Sequence, residues 1–297
     1  MTKHAGFHAQ PAMPPLAKAE QIHLTEADID RFKAEGAVEL PSLEPGEREI
    51  AWVSKVGTPH RLDGPASIII QDMVITKKYW MRQGKEHRRD GPAIIVYHAN
   101  GMVAEEIWCT HGQRHRHEQP AIVHYFENGA REQEIWVRKD QLHRKNGPAR
   151  RVFWPNGAVA REVWYYEGCN RRPMGPAIVT YWPTGRLHCE FYGLDDGNIE
   201  SFELSYQEDG VTIASQSWVT DDYLHREGFP AVIMCDENGL ITDGEWYEDG
   251  AEAQVSGHRK MRWKMQFKGE PIACDWPEVV KKSKARLTNR KSRNIRQ

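Results

Sequence analysis

The chain is 297 residues long, with 39% apolar and 28% charged residues and a formal charge of −2. That composition excludes a collagenous or wholly disordered chain, and no run approaches the roughly 18 apolar residues of a membrane-crossing helix. Five cysteines without C-x-x-C spacing exclude a disulfide scaffold and fit reduced, mostly buried thiols in a cytosolic protein. Charge is unevenly placed: Lys281 to Gln297 carries eight Lys or Arg and no acid, which leaves about −10 for residues 1–280.

In chain order, residues 1–22 read as a flexible leader without the continuous apolar region of an export signal. Residues 23–48 read as a helical cap and linker. Thr25 is placed to cap and Asp28 stands at the third helical position, and Ile29 with Phe32 forms a short apolar stripe that ends at Gly36. Residues 49–250 form a repeat. Trp52, Trp80, Trp108, Trp136 and Trp164 are each 28 residues apart, and the series continues through Tyr192, Trp218 and Trp246 at steps of 28, 26 and 28. Pro65, Pro92, Pro120, Pro148 and Pro176 track them at steps of 27, 28, 28 and 28. A fixed period of this length is the mark of a repeat array.

One unit can be read directly. Gly-Pro-Ala ends a turn, with Asp63, Asp90 or Asn146 two residues before the proline. A strand follows, rich in β-branched and aromatic residues, as in Ala93-Ile-Ile-Val-Tyr97 and Ala177-Ile-Val-Thr-Tyr181. Asn100-Gly101, Asn128-Gly129, Asn156-Gly157 and Asn238-Gly239 then signal a hairpin, and the returning strand carries Glu-x-Trp. Each of about seven units is therefore two antiparallel strands, and the fold is all-β: an elongated, twisted antiparallel sheet of hairpins. Alternation assigns Ala93, Ile95 and Tyr97 and their equivalents to a core face, with Arg151 an exception. The other face is half apolar, either covered or a working surface. The unit after Tyr192 lacks the His-Arg and Gly-Pro-Ala marks. In residues 251–278, Met261, Trp263, Met265 and Phe267 alternate with other residues, which predicts closing strands. Residues 279–297 form the basic tail.

His60, His87, His115, His143 and His225 share one repeat position, each followed by Arg. Equivalent positions lie about 10 Å apart, two strand spacings, so they cannot share one metal. They read as turn-stabilising pairs. His111, His115 and His117 are denser, but no metal site is assigned. Glu106, Glu134, Glu162 and Glu190 form a second ladder. A glycosidase pair needs two carboxylates in different environments, whereas identical repetition points to structure. Each Glu is expected to meet the Arg of a His-Arg turn (Arg88, Arg116, Arg144, Arg172). No nucleophile elbow, phosphate loop, zinc-protease helix or dinucleotide fingerprint is present, so no catalytic residue and no cofactor is expected.

Binding candidates are aromatics outside the register and the tail. Trp154 and Trp182 precede prolines in hairpin turns, and Tyr165 and Tyr166 follow Trp164, which would gather exposed aromatic surface. Lys281, Lys282, Lys284, Arg286, Arg290, Lys291, Arg293 and Arg296 would hold phosphate backbones or anionic lipid, or simply be solvated. The run Trp-x-x-x-Gly-x-x-His-Arg-x-Asp-Gly-Pro-Ala-x-x-x-Tyr-x-x-Asn-Gly-x-x-x-x-Glu-x-Trp, clearest in Trp80–Trp108 and Trp136–Trp164, resembles MORN-type repeats. It is most like the variant in YwqK-like antitoxins and in repeat proteins of phages and giant viruses. The resemblance implies a non-catalytic hairpin array for protein or membrane association, or for neutralising a toxin. The expectation is a cytoplasmic scaffold that binds a protein partner as an inhibitor. The alternative is a nucleic-acid or anionic-lipid binder acting through the tail, and a homo-oligomer through the second sheet face stays open.

Overall fold

The computed structural model describes residues 23–41, 44–165, 172, 175–192, 200–220, 223–226 and 229–272. It is antiparallel β-sheet with two short helices among the described residues. The chain divides into two compact units, residues 1–113 with 122–131, and 114–121 with 132–297.

The first unit begins with helix α1, Glu26–Ala34. Its cap is reciprocal: the Thr25 hydroxyl accepts from the Asp28 N–H at 3.3 Å, and the Asp28 carboxylate accepts from the Thr25 N–H at 2.9 Å. This fixes where the helix starts. Ile29 is fully buried and joins Leu24, Ala37, Ile50, Trp52, Ile68 and Ile70 in one cluster, with Phe32 packed edge-on against Trp52. α1 thus lies on the first hairpins, as the sequence predicts for a cap. The strands Ala37–Leu40, Glu47–Trp52, Ser67–Gln71, Val74–Tyr79, Ile94–Tyr97, Val103–Ile107 and Ile122–Tyr125 follow, each antiparallel to the next.

The second unit holds Arg131–Ile135 from Glu132 on, then Arg150–Phe153, Val159–Val163, Ile178–Tyr181 and Leu187–Tyr192, each antiparallel to the next. Glu200–Tyr206, Ile213–Thr220, Val232–Cys235 and Ile241–Glu245 complete it. The repeat that lacks the sequence marks still forms a hairpin, and its strands, of 7 and 8 residues, are the longest in the protein among those described.

The core face is the one that alternation predicts. Ala66, Ala93, Ala121, Ala149 and Ala231 are fully buried, and Ala177 is nearly so. The opposite face of the first unit carries the cross-strand row Tyr79, Ile94, Ile107 and Ile122. Ile122 is buried and the others are half-buried. The Asn-Gly reversals are three-residue loops closed by a bulge. In the first complete one, the Gly101 N–H donates to the His98 carbonyl, Gly101 sits at φ 80°, and the register shifts at Val96/Tyr97.

Two expectations are corrected. After Trp80, Trp108, Trp136 and Trp246 the repeat holds more than two strands, because a second, much shorter hairpin branches off. Met81–Arg82 pairs with Lys85–Glu86, Val137–Arg138 with Gln141–Leu142, and Tyr247–Glu248 with Ala251–Glu252. Cys109–Thr110 and Gln113–Arg114 form a fourth, and the four turns take positive φ at both central residues: Gln83-Gly84, His111-Gly112, Lys139-Asp140 and Asp249-Gly250. The four dipeptides recur on the same period, so the signal was present but reads as loop. Second, residues 251–278 are not all closing strands. After Ala251–Glu252 the chain forms helix α2, Gly257–Phe267, with the Ser256 hydroxyl accepting from the Arg259 N–H at 3.4 Å. A strand would bury Met261, Trp263, Met265 and Phe267 together. The helix turns only Trp263 and Phe267, four residues apart, onto the sheet end.

Trp263 packs edge-on against Trp246 with ring centroids 5.4 Å apart. Lys264 pairs with Asp243 at 2.7 Å, and this bond holds the Asp243 carboxyl below its ordinary range. Gly244 makes the docking possible: a Cβ there would lie 2.8 Å from the Trp263 ring and 2.9 Å from Pro230. Gly244 occupies the position that Glu106, Glu134, Glu162 and Glu190 hold in earlier repeats and Gln216 in the one before it, and a side chain there would take the space of the helix ring.

Candidate functional site

Three contacts of titratable side chains recur from repeat to repeat. The first is the histidine. The main-chain N–H groups of His60, His87, His143 and His225 donate to the carbonyls of Trp52, Trp80, Trp136 and Trp218. The ring faces the next repeat: Nδ1 of His60, His87 and His225 accepts the N–H of Gln83, His111 and Asp249 at 3.2, 3.2 and 3.1 Å. Those three donors are the positive-φ residues of the short hairpins, so each histidine braces the following turn. The role requires an unprotonated Nδ1. At His87, burial, then His111, Arg82 and Arg89, hold the imidazole pKa below its ordinary value.

The second contact is the arginine beside it. The guanidinium carbons of Arg61, Arg88, Arg144, Arg172 and Arg226 lie 3.4 to 4.3 Å from the ring centroids of Trp52, Trp80, Trp136, Trp164 and Trp218. Arg88, Arg116, Arg144 and Arg226 also donate to the carbonyl of the proline four residues on. The glycine of Gly-Pro-Ala leaves room for this: a Cβ on Gly91 would come within 2.7 Å of the Arg88 guanidinium carbon. Burial lowers the Arg144 pKa, with Arg151 adding to the effect.

The third contact corrects the expected Glu–Arg pairing. Glu106 accepts the Tyr125 hydroxyl at 2.9 Å, Glu162 the Tyr181 hydroxyl at 3.1 Å, and Glu190 both Tyr192 and Tyr206 at 2.7 Å. The arginines are occupied by tryptophan rings, and the tyrosine at the end of the next outgoing strand reaches the carboxylate. At Tyr181, burial, then the Glu162 charge, raise the phenol pKa. Where that tyrosine is Phe153 the hydroxyl is missing, and Arg151 enters the same face between two carboxylates. Arg151 is in register with Glu134 on one side and Glu162 on the other, and its Nε donates to Glu162 at 2.9 Å. Glu134 and Glu162 are both buried. Arg151 breaks the apolar alternation because it supplies charge where a tyrosine is lost.

Trp154 does not offer a free ring. It is half-buried and its indole N–H donates to the Tyr181 carbonyl at 3.1 Å, 27 residues on, as His98 bonds the Tyr125 carbonyl at 2.8 Å. Asn156 bonds Pro183 in the same way, so these loops are stacked on one another. Trp182 is half-buried against His188, with ring centroids 4.0 Å apart. Tyr165 is half-buried, and Tyr166 lies outside the described residues, as do Lys281, Lys282, Lys284, Arg286, Arg290, Lys291, Arg293 and Arg296. Among the described residues, the candidates Trp154, Trp182 and Tyr165 are each half-buried and not fully exposed.

An exposed apolar pair that the sequence reading placed in a closing strand is on α2. Met261 is 61% exposed and Met265 83%, four residues apart on the helix face turned away from the sheet. Among the described residues no group of three or more His, Cys, Asp or Glu is placed to hold a metal, and no helix is long and apolar enough to cross a membrane. No protein-family model matches the chain, and no curated protein matches it.

Proposed function

We propose that the protein is a non-catalytic repeat scaffold that binds a protein partner, in its sharpest form as an inhibitor or antitoxin-like neutraliser, acting in the cytoplasm. Kinship with MORN-type repeats is part of the proposal. The observation that carries it is the use of the recurring polar side chains. His, Arg, Glu and Tyr of one repeat are engaged with the backbone, rings and carboxylates of the same or the next repeat at equivalent positions. Side chains so used build a regular surface from repeat to repeat, and repeat surfaces of this kind serve as platforms for macromolecules. The testing experiment is capture from the native host's lysate with the tagged full chain and with a chain ending at Val280. One protein retained by both supports the scaffold. Capture that vanishes with residues 281–297, or with nuclease, instead favours a nucleic-acid or anionic-lipid binder acting through the eight basic residues of that segment.

A further inference from the structure

The outer face of α2 has the chemistry of a docking site, and the inference rests on the scaffold reading in that its occupant is a protein. His258, Met261, Arg262 and Met265 follow one another at helical spacings of three, one and three, so they share one face, and with Gln266 they line a shallow open depression. None of the five has a side-chain hydrogen bond or ion pair among the described residues. The positive charges that point inward are already matched, Lys264 by Asp243 at 2.7 Å and Lys260 by Glu252 at 3.7 Å. The helix itself contains no Asp or Glu. It is also firmly seated, with Trp263 buried among Ile233, Ile241 and Trp246. The methionines are thus held out on a fixed support.

We propose that this face docks an acidic amphipathic segment of a partner protein, its apolar side chains over Met261 and Met265 and its carboxylates beside Arg262 and His258. Charge complementarity selects the occupant: an apolar pair beside the unmatched Arg262 guanidinium, with the His258 ring next to it, is completed by an apolar anchor that brings its own carboxylates. Methionine suits such a contact because its flexible, polarisable chain adapts to the shape of a peptide. A bilayer fits less well. Helices that lie in a membrane interface turn Trp, Phe or Leu toward the lipid, whereas this one turns Trp263 and Phe267 into the protein. Nucleic acid fits less well too, since the face has no outward aromatic ring for stacking and a single arginine.

The test uses the full chain and a labelled helical peptide of about 14 residues, with leucine at i, i+3, i+4 and i+7 spacing and glutamate elsewhere. A lysine counterpart serves as control, and binding is read by fluorescence anisotropy. The glutamate peptide is expected to bind about tenfold or more tighter than the lysine peptide, and the paired Met261→Gln/Met265→Gln substitutions, or Arg262→Glu alone, to weaken it about tenfold. All three residues are exposed, so an unchanged unfolding midpoint verifies that the fold is intact. Equal binding of both peptides, no binding, or binding indifferent to these substitutions overturns the proposal. So do vesicles of phosphatidylcholine and phosphatidylserine that bind through Met261 and Met265 when the glutamate peptide does not. A lysate partner kept by the double variant leaves the scaffold standing while this site fails; no partner for either chain sinks the scaffold itself.

Discussion

At the residue scale, each repeated side chain has one task, and its chemistry says how removing it registers. His87 accepts a backbone N–H on Nδ1, which only the neutral ring can do. Its folded pKa lies below the unfolded value near 6.5, so below that value the unfolded chain binds the proton more readily. The stability it contributes is fully present above pH 6.5 and falls as the pH drops through 6.5 toward the folded pKa. Thermal unfolding at about pH 7.5 and pH 5.5 checks this: His87→Asn, whose side-chain oxygen can still accept, should lose less on acidification than the natural chain. Tyr181→Phe removes the hydroxyl donated to Glu162, a buried carboxylate, and should lower stability by about 1–2 kcal/mol in denaturant titrations. Arg151→Val restores the repeat's apolar alternation yet should cost about 2–3 kcal/mol, because it leaves two buried carboxylates without the charge between them. A neutral or stabilising result for Arg151→Val would show that the carboxylates tolerate the loss.

At the element scale, α2 closes the second unit as α1 opens the first. Both are short helices whose inner apolar residues are four or fewer apart, Ile29 with Phe32 and Trp263 with Phe267, and both are started by a hydroxyl cap, Thr25 and Ser256. Each covers strands that would otherwise end a sheet in contact with water. Trp263→Ala is expected to cost about 3–5 kcal/mol through the cavity left under the helix. Gly244→Ala, whose Cβ would meet the Trp263 ring at 2.8 Å, should cost about 1–3 kcal/mol by overpacking. Hydrogen exchange in α2 reports both, since each should speed exchange there first. α1 was legible before the fold was known because Thr25, Asp28, Ile29 and Phe32 make a cap and a helical stripe with no competing period. α2 was not legible, because Met261, Trp263, Met265 and Phe267 satisfy the two-residue period of a strand at least as well as the period of a helix. Only the packing of Trp263 on Trp246 at the sheet end separates the two.

At the scale of the whole molecule, contacts within each unit run from one repeat to the next at intervals of 23 to 27 residues, from His60 to Gln83 or Trp154 to Tyr181. Energies in such a chain add locally. Combining Ile29→Ala with Trp263→Ala should therefore give the sum of the single effects within about 0.5 kcal/mol in a double-mutant cycle, and a larger coupling would overturn this local account.

The period, the hairpins, the buried alanine face and the capping of α1 are legible in the sequence alone. These follow from local rules, backbone dihedral preference and alternation, which act within one repeat and are reinforced by copying. The sequence alone did not determine which partner each repeated group takes. Arg88 and Glu106 look like a charge pair along the chain, yet the guanidinium lies on the Trp80 ring and the carboxylate takes the Tyr125 hydroxyl. That choice depends on the register of neighbouring strands and on the room left at Gly91. The same holds for the exposed methionines of α2. Whether an apolar residue is core or surface there was settled by which helix face the last strand could accept, a property of the packed sheet end and not of the eleven residues of the helix.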